Sequence, residues 1–76
     1  MNRLERITHD LKVMAGKPCI RGMRVTVGMI VGMLADGVSE AELLALYPYL
    51  EPGDIREALA YAAGRAEQVE VPIGEW

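Results

Sequence analysis

The sequence has no phenylalanine and only one cysteine, one histidine, one serine and one tryptophan. A single cysteine excludes an internal disulfide framework, and no Cys/His cluster has the spacing of a metal site. The same scarcity argues against catalysis. His9 and Asp10 are neighbours in sequence, which does not make an oriented pair, and Ser39 has a structural use described below. Cys19 lies in an expected strand and reads as a small hydrophobe rather than a nucleophile. The expectation is a protein that is not an enzyme, with no cofactor, metal or small-molecule substrate. Long hydrophobic runs are missing too. The longest uncharged stretch, Val25 to Ala35, is about eleven residues against the ~20 that span a bilayer. The charged start Met1-Asn2-Arg3-Leu4-Glu5-Arg6 precedes no apolar h-region, so no signal peptide is expected. No membrane contact and a cytoplasmic location are the corresponding expectations.

What remains is apolar and unevenly charged. Of 76 residues, 51% are hydrophobic, enough for one domain spanning residues 1–76. A chain of this size buries a modest fraction of its surface. With disulfides and metal set aside, oligomerisation is the remaining reinforcement, and a homodimer is expected. The charge is segregated: residues 1–24 carry six Lys and Arg against two Asp and Glu, a net +4, while residues 25–76 carry two against nine, a net −7. Lys12, Lys17, Arg21 and Arg24 supply half of the eight basic residues. Such a positive head on a negative body is suited to a charged partner or to a second copy of the chain.

The head (residues 1–26) reads as a β element. Residues 6–8 and 12–14 have short, partly alternating apolar character and suggest an extended strand or arm. Lys17–Ile20 and Arg24–Thr26 read as two short strands joined through Arg21-Gly22-Met23, with Pro18 on an edge because it cannot donate to a ladder. Three helices follow over residues 27–68. The first spans Val27 to Ala35, capped by Thr26 and ended by Asp36-Gly37. Val27, Ile30, Val31 and Leu34 form its core face, with Met29 and Met33 as a second apolar stripe. The second starts with a capping box, Ser39 and Glu42, and a Val38–Leu43 staple. It runs to Leu46, buries Leu43, Leu44 and either Leu46 or Tyr47, and stops at Pro48. The third has Pro52 at its first position, Asp54 near its positive end, and an inward stripe of Ile55, Ala58, Leu59, Ala62, Ala66 and Val69. Residues 69–76 read as an extended tail. The fold class is mainly α: a three-helix helix-turn-helix, homeodomain-like bundle with a short N-terminal β-hairpin or arm. A plain helical hairpin fits the pattern almost as well.

Three blocks of these residues resemble a known family. Gly16-Lys17-Pro18-Cys19-Ile20-Arg21-Gly22-Met23-Arg24-Val25-Thr26-Val27 is similar to its G-K-P-x-I-x-G-T-R-I-x-V signature. The segments Asp36-Gly37-Val38-Ser39 to Leu44, and Tyr47-Pro48 through Asp54-Ile55 to Tyr61-Ala62, resemble its second and third blocks. The family is domain of unknown function 433, and the blocks cover residues 7–63. The resemblance implies a small, dimeric helix-turn-helix protein similar to VapB-type antitoxins, often encoded beside a PIN-like ribonuclease. Met23 departs from the usual Thr, and Glu51 stands where Ser or Thr commonly caps the third helix.

The functional expectations follow. The leading one is an antitoxin-like component of a type II toxin–antitoxin system that neutralises a PIN-like ribonuclease, with DNA binding for autoregulation. The alternatives are a stand-alone dimeric helix-turn-helix DNA-binding regulator and a structural interaction module. Candidate nucleic-acid contacts are Lys12, Lys17, Arg21, Arg24 and Arg56. Their plainer reading is solvated charge, or pairing with the acidic body of a partner subunit. The third helix is a poor reader of bases: its early exposed positions would be Gly53, Asp54, Arg56, Glu57, Ala60 and Tyr61, without Asn, Gln or several Arg. Candidate dimer contacts are Ile20, Val25, Gly28, Met29, Gly32 and Met33. Candidate toxin contacts are Val69, Val71 and Ile73, by strand addition, with Trp76 as anchor.

Overall fold

The computed structural model describes residues 4–68. Two short strands, β1 (Ile7–Thr8) and β2 (Cys19–Ile20), precede three helices, α1 (Val27–Ala35), α2 (Glu40–Leu46) and α3 (Pro52–Gln68). The mainly helical fold with an N-terminal antiparallel hairpin matches the sequence reading. The toxin-contact residues Val69, Val71, Ile73 and Trp76 lie outside the described residues.

The strand pairing differs from the expectation. β2 pairs antiparallel with β1, in the register Ile7↔Ile20 and Thr8↔Cys19. The segment expected as its partner, Arg24–Thr26, contributes one bridge, Cys19↔Thr26, and one bond from the Ile20 N–H to the Val25 carbonyl, 2.9 Å. Of residues 12–14 only Val13 is extended, in an isolated bridge with Asp10. Met14, Ala15 and Gly16 all have positive φ (51°, 57° and 83°) and turn the chain back toward β2. A second reversal has positive φ at both central residues, Arg21 (48°) and Gly22 (73°), closed by the Met23 N–H on the Ile20 carbonyl at 2.8 Å. Such primed turns match the right-handed twist of paired strands and usually need Gly, Asn or Asp. Arginine in the first central position is unusual, and its side chain shows why it is held there.

The helices start where their caps dictate. The Thr26 hydroxyl accepts the Met29 N–H at 3.0 Å. Ser39 and Glu42 form the reciprocal capping box, with distances of 3.1 Å and 2.8 Å. Gly37, at φ 98°, ends α1 in the left-handed position that favours glycine.

The core comprises Cys19, Ile20, Val25, Val27, Ile30, Leu43, Leu50, Ile55 and Ala58. Each larger aliphatic side chain there contributes about 1.5–3 kcal/mol of burial. Met29, Val31, Met33, Leu34, Leu44 and Tyr47 pack partly buried against it. Of the two options at the end of α2, Tyr47 turns inward and Leu46 stays 61% exposed. Leu59, expected on the inward stripe of α3, is 43% exposed. α1 packs chiefly on α3, and β1 also touches α3. That last contact positions the site described next.

Candidate functional site

The start of α3 brings three carboxylates to one side: Glu51 just before the helix, Asp54 in its first turn and Glu57 in its second, spaced three apart. Asp54 is fully buried. Its Oδ1 accepts from Arg6 Nη1 at 2.9 Å and Arg21 Nε at 3.1 Å. Its Oδ2 accepts from Arg21 Nη2 at 2.9 Å and from the Glu51 N–H at 2.8 Å. The side-on Arg21 fork is the strong bidentate geometry. Arg21 Nη2 also donates to the Tyr49 carbonyl at 2.7 Å, tying in the α2–α3 turn. Arg6 reaches Glu51 Oε1 at 2.6 Å and Glu57 Oε2 at 3.7 Å, and its backbone N–H donates to Glu57 Oε1 at 2.9 Å. Two cations from the β element and three anions from α3 thus form one latch.

Local sequence sets each part. The positive φ of Arg21 aims its guanidinium back at α3 rather than outward along the hairpin. Gly53 lets Arg6 lie over the helix start: a Cβ there would stand 2.9 Å from the Arg6 Cζ. Glu51 does not cap α3 with its side chain, which is held by Arg6. The Asp54 carboxylate instead takes the Glu51 N–H, the reverse half of a capping box.

Electrostatics follow the geometry. Burial pushes the Asp54 carboxyl up, but hydrogen bonds from Arg21, the Glu51 N–H and Arg6 outweigh it and hold it below the ordinary carboxylate range. Arg6 is raised by its bonds to Glu51 and Asp54, and Arg21 by its bond to Asp54. Both oxygens of Asp54 are saturated by donors, so the cluster is built to hold the fold together. Among the described residues no group of His, Cys, Asp and Glu is arranged to hold a metal.

Several expected site residues are therefore reassigned. Arg21 is not a free phosphate contact: it is committed to Asp54. Asp54 is not an exposed position of α3, and Glu57 is half-buried under Arg6. Ile20 and Val25 are not dimer contacts but core residues, 0% and 4% exposed. Met29 and Met33 pack partly on the same core, and Gly28 and Gly32 are exposed on α1. Lys12, Lys17, Arg24 and Arg56 are exposed. Arg24 Nη1 rests 4.0 Å from the Met14 sulfur, which gathers it onto the loop that carries Lys12 and Lys17. Cys19 is buried. His9 does not pair with Asp10; its Nε2 lies 3.2 Å from the Tyr61 hydroxyl. The latch itself was missed. Its signal was the 51/54/57 spacing of acids opposite two arginines in a β element.

Residues 7–62 match the family described as protein of unknown function, DUF433. The chain belongs to the DUF433 family. It is similar to the crystal structure of a DUF433 member protein from Anabaena variabilis ATCC 29413, with 33% identity and a TM-score of 0.77 over 83% of this chain. It spans 62% of the length of that chain. No curated protein matches. In this DUF433 protein the match begins at β1 and ends on α3, so it takes in the latch acids and Arg21 while Arg6 lies one residue outside it. Among the described residues no helix is long and apolar enough to cross a membrane.

Proposed function

We propose that this DUF433 protein is a cytoplasmic, antitoxin-like component of a two-protein system that binds and neutralises a PIN-like ribonuclease. The observation that carries this reading is the character of the outer surface. The helix that a helix-turn-helix protein would lay in a DNA groove offers Arg56, Leu59, Ala60, Ala63, Gly64 and Arg65 to solvent over residues 52–65. Base-edge readout favours bidentate Arg, Asn or Gln, and this stretch supplies two arginines among small and apolar residues, with no Asn or Gln. Large apolar side chains are instead left uncovered at the α2–α3 turn, where Leu46 is 61% and Tyr49 50% exposed. Tyr47 and Tyr49 meet edge to face there, with ring centroids 6.1 Å apart. Rigid aromatic residues beside aliphatic ones are what protein interfaces favour as anchors. The ribonuclease as partner class comes from the resemblance to VapB-type antitoxins.

The exposed Lys12, Lys17 and Arg24 favour a second reading, a DNA-binding regulator that touches phosphates with its β element rather than reading sequence with α3. Co-expression with the neighbouring reading frame separates the two. The antitoxin reading expects a complex that survives purification at high salt. Recovery of the free protein alone, together with salt-sensitive binding of its own promoter, supports the regulator and sinks the antitoxin.

A further inference from the structure

We propose that Arg21 is a positioning residue for partner binding: its guanidinium fixes the conformation in which the α2–α3 turn presents Tyr49 to a protein partner. The inference rests on the reading of that turn as the docking surface for the ribonuclease.

The turn has few backbone bonds of its own. Residues 47–51 run from the end of α2, where the Tyr47 N–H meets the Leu43 carbonyl at 2.9 Å, to the start of α3. Within the turn the Leu50 N–H donates to the Tyr47 carbonyl at 2.9 Å, and the Leu50 side chain is buried in the core. No backbone N–H among the described residues donates to the Tyr49 carbonyl. Arg21 Nη2 does, at 2.7 Å, from the β element.

The same nitrogen donates to Asp54 Oδ2 at 2.9 Å, and that oxygen also accepts the Glu51 N–H at 2.8 Å. Arg21 is thus tied to the turn on both sides of Leu50: directly at Tyr49, and through the Asp54 carboxylate at Glu51. Its Nε bond to Asp54 Oδ1, 3.1 Å, sets the orientation of the guanidinium plane. A planar fork with donors at fixed angles can serve a carboxylate and a carbonyl together, whereas an ammonium is a point charge without that geometry. Arg6 makes the contrast. Its guanidinium bonds the same Asp54 and carries the same charge, but its other bonds go to the Glu51 and Glu57 carboxylates and not to the backbone of the turn.

What the Arg21 bond fixes is a pair of rings. Tyr47 is half-buried against the core and Tyr49 is half exposed, and the two meet edge to face. Holding the Tyr49 carbonyl sets the direction in which its ring leaves the turn. An anchor ring already held in its bound direction loses less entropy when the partner arrives. The inward turn of Arg21 at positive φ therefore acts on the outer surface, through one connected path from the hairpin to the docking turn.

Two matched substitutions test this. Arg21→Lys and Arg6→Lys each keep a cation beside Asp54 and loosen the latch, but only the first removes the bond to Tyr49. In nuclear Overhauser spectra the Tyr47–Tyr49 ring cross-peaks should be lost in Arg21→Lys and kept in Arg6→Lys. Affinity for the purified product of the neighbouring reading frame, measured by calorimetry, should weaken about three- to tenfold in Arg21→Lys, the cost of ordering one side chain on binding. It should be unchanged in Arg6→Lys. In a Tyr49→Ala background Arg21→Lys should weaken it no further, because residues that act through one another are not additive. Circular dichroism equal to wild type shows that each variant is folded. The wild type gives a reading that needs no variant: the Arg21 guanidinium protons should exchange with water more slowly than those of Arg24. Ring cross-peaks kept in Arg21→Lys, equal losses in Arg6→Lys, an Arg21 effect that persists without the Tyr49 ring, or equal exchange of the two guanidinium groups each overturn the proposal. A product that does not bind wild type counts against the ribonuclease reading, and the ring and exchange measurements then decide the positioning role alone.

Discussion

Arg21 and Arg24 stand three residues apart in the same basic segment, yet the fold uses them in opposite ways. Arg21, held at positive φ, turns inward and shares a buried carboxylate with Arg6. Arg24 turns outward to the loop of Lys12 and Lys17 and rests on a methionine. The contrast extends across the molecule: one set of charges joins the β element to α3, and the other is left at the surface. Net charge along the sequence does not distinguish the sets. The backbone at one turn and the helix face opposite it do.

The largest test of this contrast is at Asp54. Replacing it by Ala leaves two arginines facing each other without their shared anion and removes the four hydrogen bonds that Asp54 accepts, partly offset because the Arg6 and Arg21 side chains keep 34% and 36% of their surface in water. Urea denaturation should show the largest drop in midpoint of any single substitution in the latch. Next comes Arg21→Lys, which keeps the charge but loses the side-on fork. It should lower the denaturation midpoint by less than Asp54→Ala, while Lys12→Gln and Lys17→Gln should leave it unchanged. If the lysine variants are as damaging as Arg21→Lys, the division into inner and outer cations is wrong.

Acid sharpens the same contrast. The Asp54 carboxyl is held below its ordinary value, so the folded state binds its proton less readily than the unfolded chain. Its contribution is therefore complete above the ordinary carboxylate range near pH 4 and is lost as pH falls through the depressed value. Glu42, depressed by the Ser39 N–H and hydroxyl, acts in the same direction. A stability–pH profile should fall below about pH 4 in wild type and fall less steeply in Asp54→Asn. An equal slope in the two would remove Asp54 from the account.

The smallest effect compares two glycines of α3. Nothing lies within 4 Å of a Cβ at Gly64, whereas at Gly53 it would meet the Arg6 guanidinium. Gly64→Ala should gain up to about 1 kcal/mol from helix propensity. Gly53→Ala should gain nothing, because Arg6 must shift away from its three acids. Thermal melts of both variants check this.

Much of the fold was legible before the structure. The bounds of α1 and α2 and the start of α3 follow from local signals: the Thr26 cap, the Ser39–Glu42 box, Gly37 and Pro52. These act within four residues, where sequence and geometry are nearly the same thing. The pairing of β2 was misjudged because the nearer partner, Arg24–Thr26, looked as good as Ile7–Thr8, and two-residue strands carry little pattern. The inner role of Arg21 and Asp54 was invisible for a different reason. It depends on contacts between residues more than 30 apart, and an arginine in a turn and an acid at a helix start each have an adequate local explanation. Ile20 and Val25, expected as dimer contacts, are buried in the protomer's own core.

The central claim is that the outer surface serves to hold another protein. Its most direct test is a titration of the purified product of the neighbouring reading frame with this protein, following cleavage of a labelled RNA. The account predicts that cleavage falls to background as the protein reaches a stoichiometric ratio. Cleavage unchanged at a large excess of folded protein would contradict it.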